Sequence, residues 1–254
     1  MKIKIKDYIA LEKNKNILKL QSGYGLKPDD NALFKAIFSN DLELIKLLSK
    51  CGISFSSKIN NTYPLHFAAF RGDIEIFKFI SSHLNEIDSK SLSTSILNQN
   101  KEINEYIFDK ITKNRIQIDL SKYIDDHFTL LTLSILVGDI DSIEKLVNLG
   151  ADINQKELKR GDSPLALATM SNDIEIVKLL LKHDVDTNLV GNDGFSPLII
   201  ASYQGNIEIV KLLLEYNANI DYETHEGFTA FEIALSNNKT NVSNYLSLHK
   251  SNLS

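Results

Sequence analysis

From residue 29 onward the chain alternates two kinds of apolar segment. One is a short run opened by a small hydroxyl residue, as in "SPLALATM" (163–170) and "SPLIIASY" (196–203). The other is the longer run "IEIVKLLL", spelled at 174–181 and again at 207–214. In the longer run Glu208, Lys211 and Glu215 fall at i, i+3 and i+7, which makes one polar stripe on an otherwise apolar helix. Glu175, Lys178 and Lys182 repeat the stripe, as do Glu43, Lys46 and Lys50. A helix of this kind needs cover over most of its surface, and identical neighbours on both sides supply it. The stripe is therefore expected to be the solvated outer face. In the shorter run Ser163, Ser196 and Thr229 stand where a side-chain oxygen caps a helix N-terminus. Pro64, Pro164 and Pro197 take the first helical position, where a missing N–H costs nothing. Ala68, Ala168 and Ala201 let that helix lie close to its neighbour.

The turn between the two runs sets the period. It is expected at Asn40, Gly72, Gly138, Asn172, Gly205 and Asn238, at spacings of 32, 66, 34, 33 and 33. The double interval hides one more unit, "SLSTSILNQNKEINEYIFDKI", with its turn expected near Asn100. Seven helix–turn–helix units follow, the third degenerate. Five segments result: a basic N-terminal segment (1–28), repeats 1 and 2 (29–80), degenerate repeat 3 with an irregular joint (81–127), repeats 4 to 7 with a C-terminal cap (128–249), and a tail (250–254). The joint contains "TKNRIQIDLSKYIDDHF", longer than a usual connection. The last helix, "NKTNVSNYLSL", is polar, as a cap facing water should be.

This pattern resembles the ankyrin repeat family. "YPLHFAA" (63–69) is similar to the family's Thr-Pro-Leu-His-x-Ala stretch, "NIEIVKLLLEYNANID" to its second helix, and "LVNLGADIN" (146–154) to its glycine-terminated helix and following hairpin. The resemblance implies an all-α fold, an α-solenoid of about seven stacked ankyrin-like helix–turn–helix repeats with hairpin loops. It also implies a non-enzymatic protein–protein interaction module. Only His66 holds the family's histidine position; Phe34, Thr132, Ala166, Ile199 and Glu232 stand at the others. That departure implies that the histidine's bonding to the adjoining loop is mostly absent.

The family binds proteins along a concave groove, and its contact positions carry over by phase. On the first helices they are Phe38, Phe70, Leu136, Met170, Tyr203 and Ser236. Just before the cap come Asp30, Thr62, Phe128, Asp162, Phe195 and Phe228. At the loop tips are Asn60, Asp126, Lys159, Arg160, Asp193 and Glu226. So many rings and aliphatic groups are unexpected at wet positions, and such residues are favoured at interface cores.

Composition narrows the function. With 43% hydrophobic and 24% charged residues the chain reads as an ordinary folded protein. Its net charge of −5 gives no electrostatic reason to bind nucleic acid. The charge is uneven, since residues 1–27 sum to +5 and the rest to −10. A basic segment on an acidic body is a potential contact for an acidic partner or surface. One cysteine, Cys51, excludes an internal disulfide, and no stretch approaches a membrane span. A cytoplasmic monomer, or a microbial effector in a host cytosol, is the expectation. The six histidines show no metal-ligand spacing, and no cofactor motif is present. "GDSP" (161–164) is similar to the opening of one lipase family, yet Ser163 shares its phase with Ser196 and Thr229, where capping explains it. Beside the binding module stand an inhibitor or immunity-type protein that blocks a partner enzyme, and a microbial effector that grips a host protein. Limited proteolysis should cut within 112–127 before it cuts within 163–235, because the joint breaks the repeat; first cleavage inside the regular block would contradict this.

Overall fold

The computed structural model describes residues 30–58, 62–84, 87–113, 115–124 and 127–251, with side chains from residue 32 onward. Among the described residues the fold is helical, with fourteen helices and no strand. The chain forms two compact units that divide between Ile118 and Asp119.

The first unit holds three helix pairs: α1 (Asp30–Phe38) with α2 (Leu42–Lys50), α3 (Pro64–Arg71) with α4 (Ile74–Leu84), and α5 (Ser89–Leu97) with α6 (Lys101–Thr112). The second holds four: α7 (Leu130–Val137) with α8 (Ile140–Asn148), α9 (Pro164–Met170) with α10 (Ile174–Leu181), α11 (Pro197–Gln204) with α12 (Ile207–Glu215), and α13 (Ala230–Ser236) with α14 (Thr240–Ser251). In each unit the first helices of successive pairs pack against one another as one layer. In the second unit α10, α12 and α14 follow one another as a second layer.

Seven turns join the pairs, and each contains one residue of left-handed backbone: Asn40, Gly72, Gln99, Gly138, Asn172, Gly205 and Asn238. Glycine adopts that conformation freely, and asparagine tolerates it best among the others. The third turn falls near Asn100, as expected. Gln99 takes the left-handed position, and Asn100 is the N-cap of α6, its Oδ1 accepting from Ile103 N–H at 3.2 Å. Asp41, Asp73, Asp139, Asp173 and Asn206 cap five of the other six second helices in the same way.

The first-helix caps match the pattern. Ser163 Oγ accepts from Ala166 N–H at 3.2 Å, and Ser196 Oγ from Ile199 N–H at 3.3 Å. Thr129 and Thr229 form reciprocal capping boxes with Thr132 and Glu232. Ser163 is fully buried in this role. The third pair, poor in sequence signals, has an acidic cap: Asp88 Oδ1 accepts from Ser91 N–H at 2.9 Å. The pair is otherwise regular, and the irregularity lies in its connections. Residues 85–88 alone separate α4 from α5, whereas 51–63, 149–163, 182–196 and 216–229 separate the neighbouring pairs, and 113–129 follow α6.

The core lies where layers meet. Leu165, Leu198, Ile176, Ile209, Val210 and Leu213 are all fully covered. The polar stripe is exposed, with Lys178 reaching both Glu175 at 3.1 Å and Glu208 of the next repeat at 3.4 Å. The last pair faces water, yet part of that face is apolar: Phe231, Leu235 and Leu248 are exposed, whereas Leu198 and Ser202, one repeat before Phe231 and Leu235, are buried.

His66 retains a bond to its neighbouring repeat. Its Nε2 donates to Asp88 Oδ2 at 2.9 Å. Burial pushes the Asp88 carboxyl up, but hydrogen bonds from His66 and Ser91 outweigh it and hold the group down at about 2. A depressed carboxyl stabilises the fold above its unfolded value near 4, and that contribution is lost as pH falls through about 2. Asp88 is half exposed, so solvent screening limits the contribution to about 1 kcal/mol. Asp88→Asn keeps a capping oxygen, so its cost isolates the charge. In urea titrations it should cost about 1 kcal/mol near pH 6 and about half of that near pH 3.

Leu213→Ala should destabilise by ~2–5 kcal/mol, since it opens a cavity between stacked helices. Glu208→Ala should stay within about 0.5 kcal/mol, as expected of an exposed pair. Equal costs by urea titration would refute this packing phase.

Candidate protein-binding face

The residue two positions before each left-handed turn occupies the free side of the first helix. In the first unit these are Phe38, Phe70 and Leu97; in the second, Leu136, Met170, Tyr203 and Ser236. They stay wet although six of the seven are apolar or aromatic. Phe70 is 53% exposed, Leu97 50%, Leu136 46% and Tyr203 60%, while Met170 is partly covered. Leu136, Met170 and Tyr203 lie on the successively packed helices α7, α9 and α11. The Gln204 side-chain amide donates to the Met170 carbonyl at 2.9 Å and locks that pair of helix ends together. Phe70 lies in the first unit, and Leu136, Met170 and Tyr203 lie in the second.

Sequence reasoning missed Leu97, because it carried no contact position into the degenerate third repeat. It also missed the ring packing of the first unit. Phe34 and Phe67 stack at 5.2 Å, and Phe67 lies nearly parallel to Phe38 at 6.4 Å and to Phe70 at 6.3 Å. The Arg71 guanidinium sits 4.7 Å over the Phe38 ring. Aromatic residues at adjacent i and i+3/i+4 positions of α1 and α3 were the available signal.

The residues before the caps close the connections. Ile124 N–H donates to the Phe128 carbonyl, Glu157 to Asp162, Gly191 to Phe195 and Thr224 to Phe228. Phe195 and Phe228 are exposed, Phe128 is partly covered, and Asp162 is buried. Of the expected loop-tip residues, Lys159, Arg160, Asp193 and Glu226 are exposed, whereas Asp126 and Asn60 lie outside the described residues, as does the side chain of Asp30.

Two of these tips are bound to each other. Arg160 bridges Asp162 at 3.3 Å and Asp193 at 3.1 Å, and its carbonyl accepts from Asn192 N–H at 2.7 Å. Beneath it the buried Glu157 carboxylate accepts from the backbone N–H groups of Lys159, Arg160 and Asp162. Burial pushes the Asp162 carboxyl up, and the Arg160 charge opposes it. Arg160 and Asp193 thus brace neighbouring connections. Further bonds continue the ladder: Lys156 Nζ to the Val190 carbonyl at 2.8 Å, and Tyr222 Oη to the Gly194 carbonyl at 2.9 Å. The second unit also carries the acidity of the chain, with 20 Asp and Glu against 10 Lys and Arg over 119–254.

Helix pairs stacked in two layers, braced through their connections and bearing an exposed apolar row, define a repeat solenoid built for recognition. Comparison with known proteins identifies its kind. The family described as ankyrin repeats (3 copies) matches residues 8–91, 131–224 and 165–253, and the chain belongs to it. Ankyrin repeats are generally protein–protein interaction modules. The ankyrin repeat protein FPV031 of fowlpox virus (strain NVSL) is 34% identical over 85 residues, which cover 34% of this chain and 25% of that protein. The ankyrin repeat and KH domain-containing protein mask-1 of Caenorhabditis elegans is 28% identical over 166 residues, 65% of this chain and 6% of that protein. The B-cell lymphoma 3 protein homolog of Mus musculus is 29% identical over 82 residues, 32% of this chain and 18% of that protein. The chain therefore spans a minor part of the relatives it matches.

Proposed function

We propose that the chain is a non-enzymatic binding module that takes a protein partner on the first-helix face of its second unit. The observation that carries this reading is the exposed row Leu136, Met170 and Tyr203 on three successive helices. The expected contacts Phe195 and Phe228 are exposed in the connections of the same unit, and Phe128 is partly covered there. Exposed apolar stripes of this kind mark partner sites. The helices are preformed, so binding costs little ordering entropy. A protein acting in the cytoplasm, or in a host cytosol, without nucleic acid or cofactor, fits the composition.

A second reading rests on charge. The excess of acid over base in the second unit favours a basic target, and an inhibitor or immunity-type protein that covers a partner enzyme would use it. A microbial effector gripping a host protein would use the same face; a viral ankyrin repeat protein is among the relatives.

A partner captured by the intact chain provides the test. Met170→Ala with Tyr203→Ala should leave folding stability nearly unchanged and weaken that complex by at least ~2 kcal/mol. Glu208→Ala, on the outer stripe, should leave affinity unchanged. A double variant that unfolds would mean the side chains are core, and one that binds normally would move the site elsewhere.

A further inference from the structure

In the second unit each connection between repeats but the last is covered by the next one. Asn192 N–H donates to the Arg160 carbonyl, Asn219 N–H to Asn188 Oδ1 at 2.7 Å, and Tyr222 Oη to the Gly194 carbonyl. Ahead of repeat 3 the chain is shorter: residues 85–88 alone separate α4 from α5, against 182–196 and 216–229 in the second unit.

Beside this short connection lies a cleft of about 300 Å³, lined by Phe55, Tyr63, Leu65, His66, Leu84 and Asp88. Its floor is apolar and aromatic, with Tyr63 edge-on to His66 at 5.4 Å and Phe55 buried beneath. Among its described lining residues the acid is Asp88. His66 and Ser91 orient that carboxylate and leave it half exposed. A cation already rests on this wall, since Lys58 Nζ lies 4.8 Å from the centre of the Tyr63 ring.

We propose that this cleft binds an extended, arginine-bearing segment of a partner protein. The shape follows from chain length: connections of 149–163, 182–196 and 216–229 are bonded to one another in the second unit, whereas 85–88 alone separate α4 from α5. The charge follows from Asp88: a guanidinium pairs with a carboxylate through two parallel N–H donors and stacks on an aromatic face, so it matches both walls at once. The site lies within the first unit and does not depend on the first-helix face of the second.

The test uses the full chain and the peptide acetyl-Val-Arg-Val-amide, with its citrulline analogue as the uncharged isostere. Amide resonances of His66 and Ser91 should shift on titration, and the arginine peptide should bind about tenfold more tightly than the citrulline one. Asp88→Asn keeps the α5 cap and should erase that preference. Ser56 is exposed at the cleft, so Ser56→Trp should block the shifts without lowering the melting temperature. Equal affinity for the two peptides overturns the proposal, as does binding that survives Asp88→Asn, or no shift at His66 and Ser91 by about 10 mM peptide. Shifts that follow protein dilution alone, or that require removal of residues 1–28, overturn it in favour of a second copy or the chain's own N-terminal segment.

Discussion

No helix pair in this chain can bury its own apolar surface. Leu165, Ala166 and Thr169 of α9 are wholly covered, and that cover includes the next first helix. The same dependence runs through α11 and ceases at α13, where Phe231 and Leu235 stand open. Stability is therefore a property of interfaces between neighbours, not of single repeats. Prolines at the first helical turn, alanines at the close approaches and left-handed turn residues all serve to present one pair to the next at a fixed angle. The exposed row is a by-product of the same geometry: whatever side of the first helix neither neighbour touches is left for a partner.

The connections contribute a second set of constraints. Arg160, Asp162, Asp193 and the buried Glu157 carboxylate fix two adjacent connections relative to each other. Their charges are thus committed partly within the molecule, and Glu226 and Lys159 are freer to meet a partner. Where the ladder is interrupted, ahead of repeat 3, the surface changes character: a carboxylate, a histidine and aromatic side chains border open space. The short connection 85–88 and the cleft border each other at Leu84 and Asp88.

The sequence made the repeats legible wherever local chemistry and packing agreed. Ser163, Ser196 and Thr229 cap helices because a hydroxyl before a buried run has few other uses. Asn40, Asn172 and Asn238 mark turns because few residues other than glycine accept that backbone. The third repeat was legible only as a degenerate one, because Gln99, a poor left-handed residue, takes its turn and its cap is Asp88 rather than a hydroxyl. Its contact position Leu97 was therefore not read. Arg160 and Asp193 looked like contacts alone, since pairing across neighbouring connections depends on three-dimensional stacking that neither residue announces. The departure of His66's counterparts was readable, but its partner Asp88 was not, because the shortened connection moves that residue to it.

The hydrogen bonds that tie one connection to the next in the second unit span 28 to 34 residues. This sets the kinetics of assembly. Nothing in that unit requires distant parts of the chain to find each other, so each step closes a loop of about one repeat and gains an interface at once. Such an array folds by growth from a neighbouring pair, and it unravels in the reverse direction from a free end.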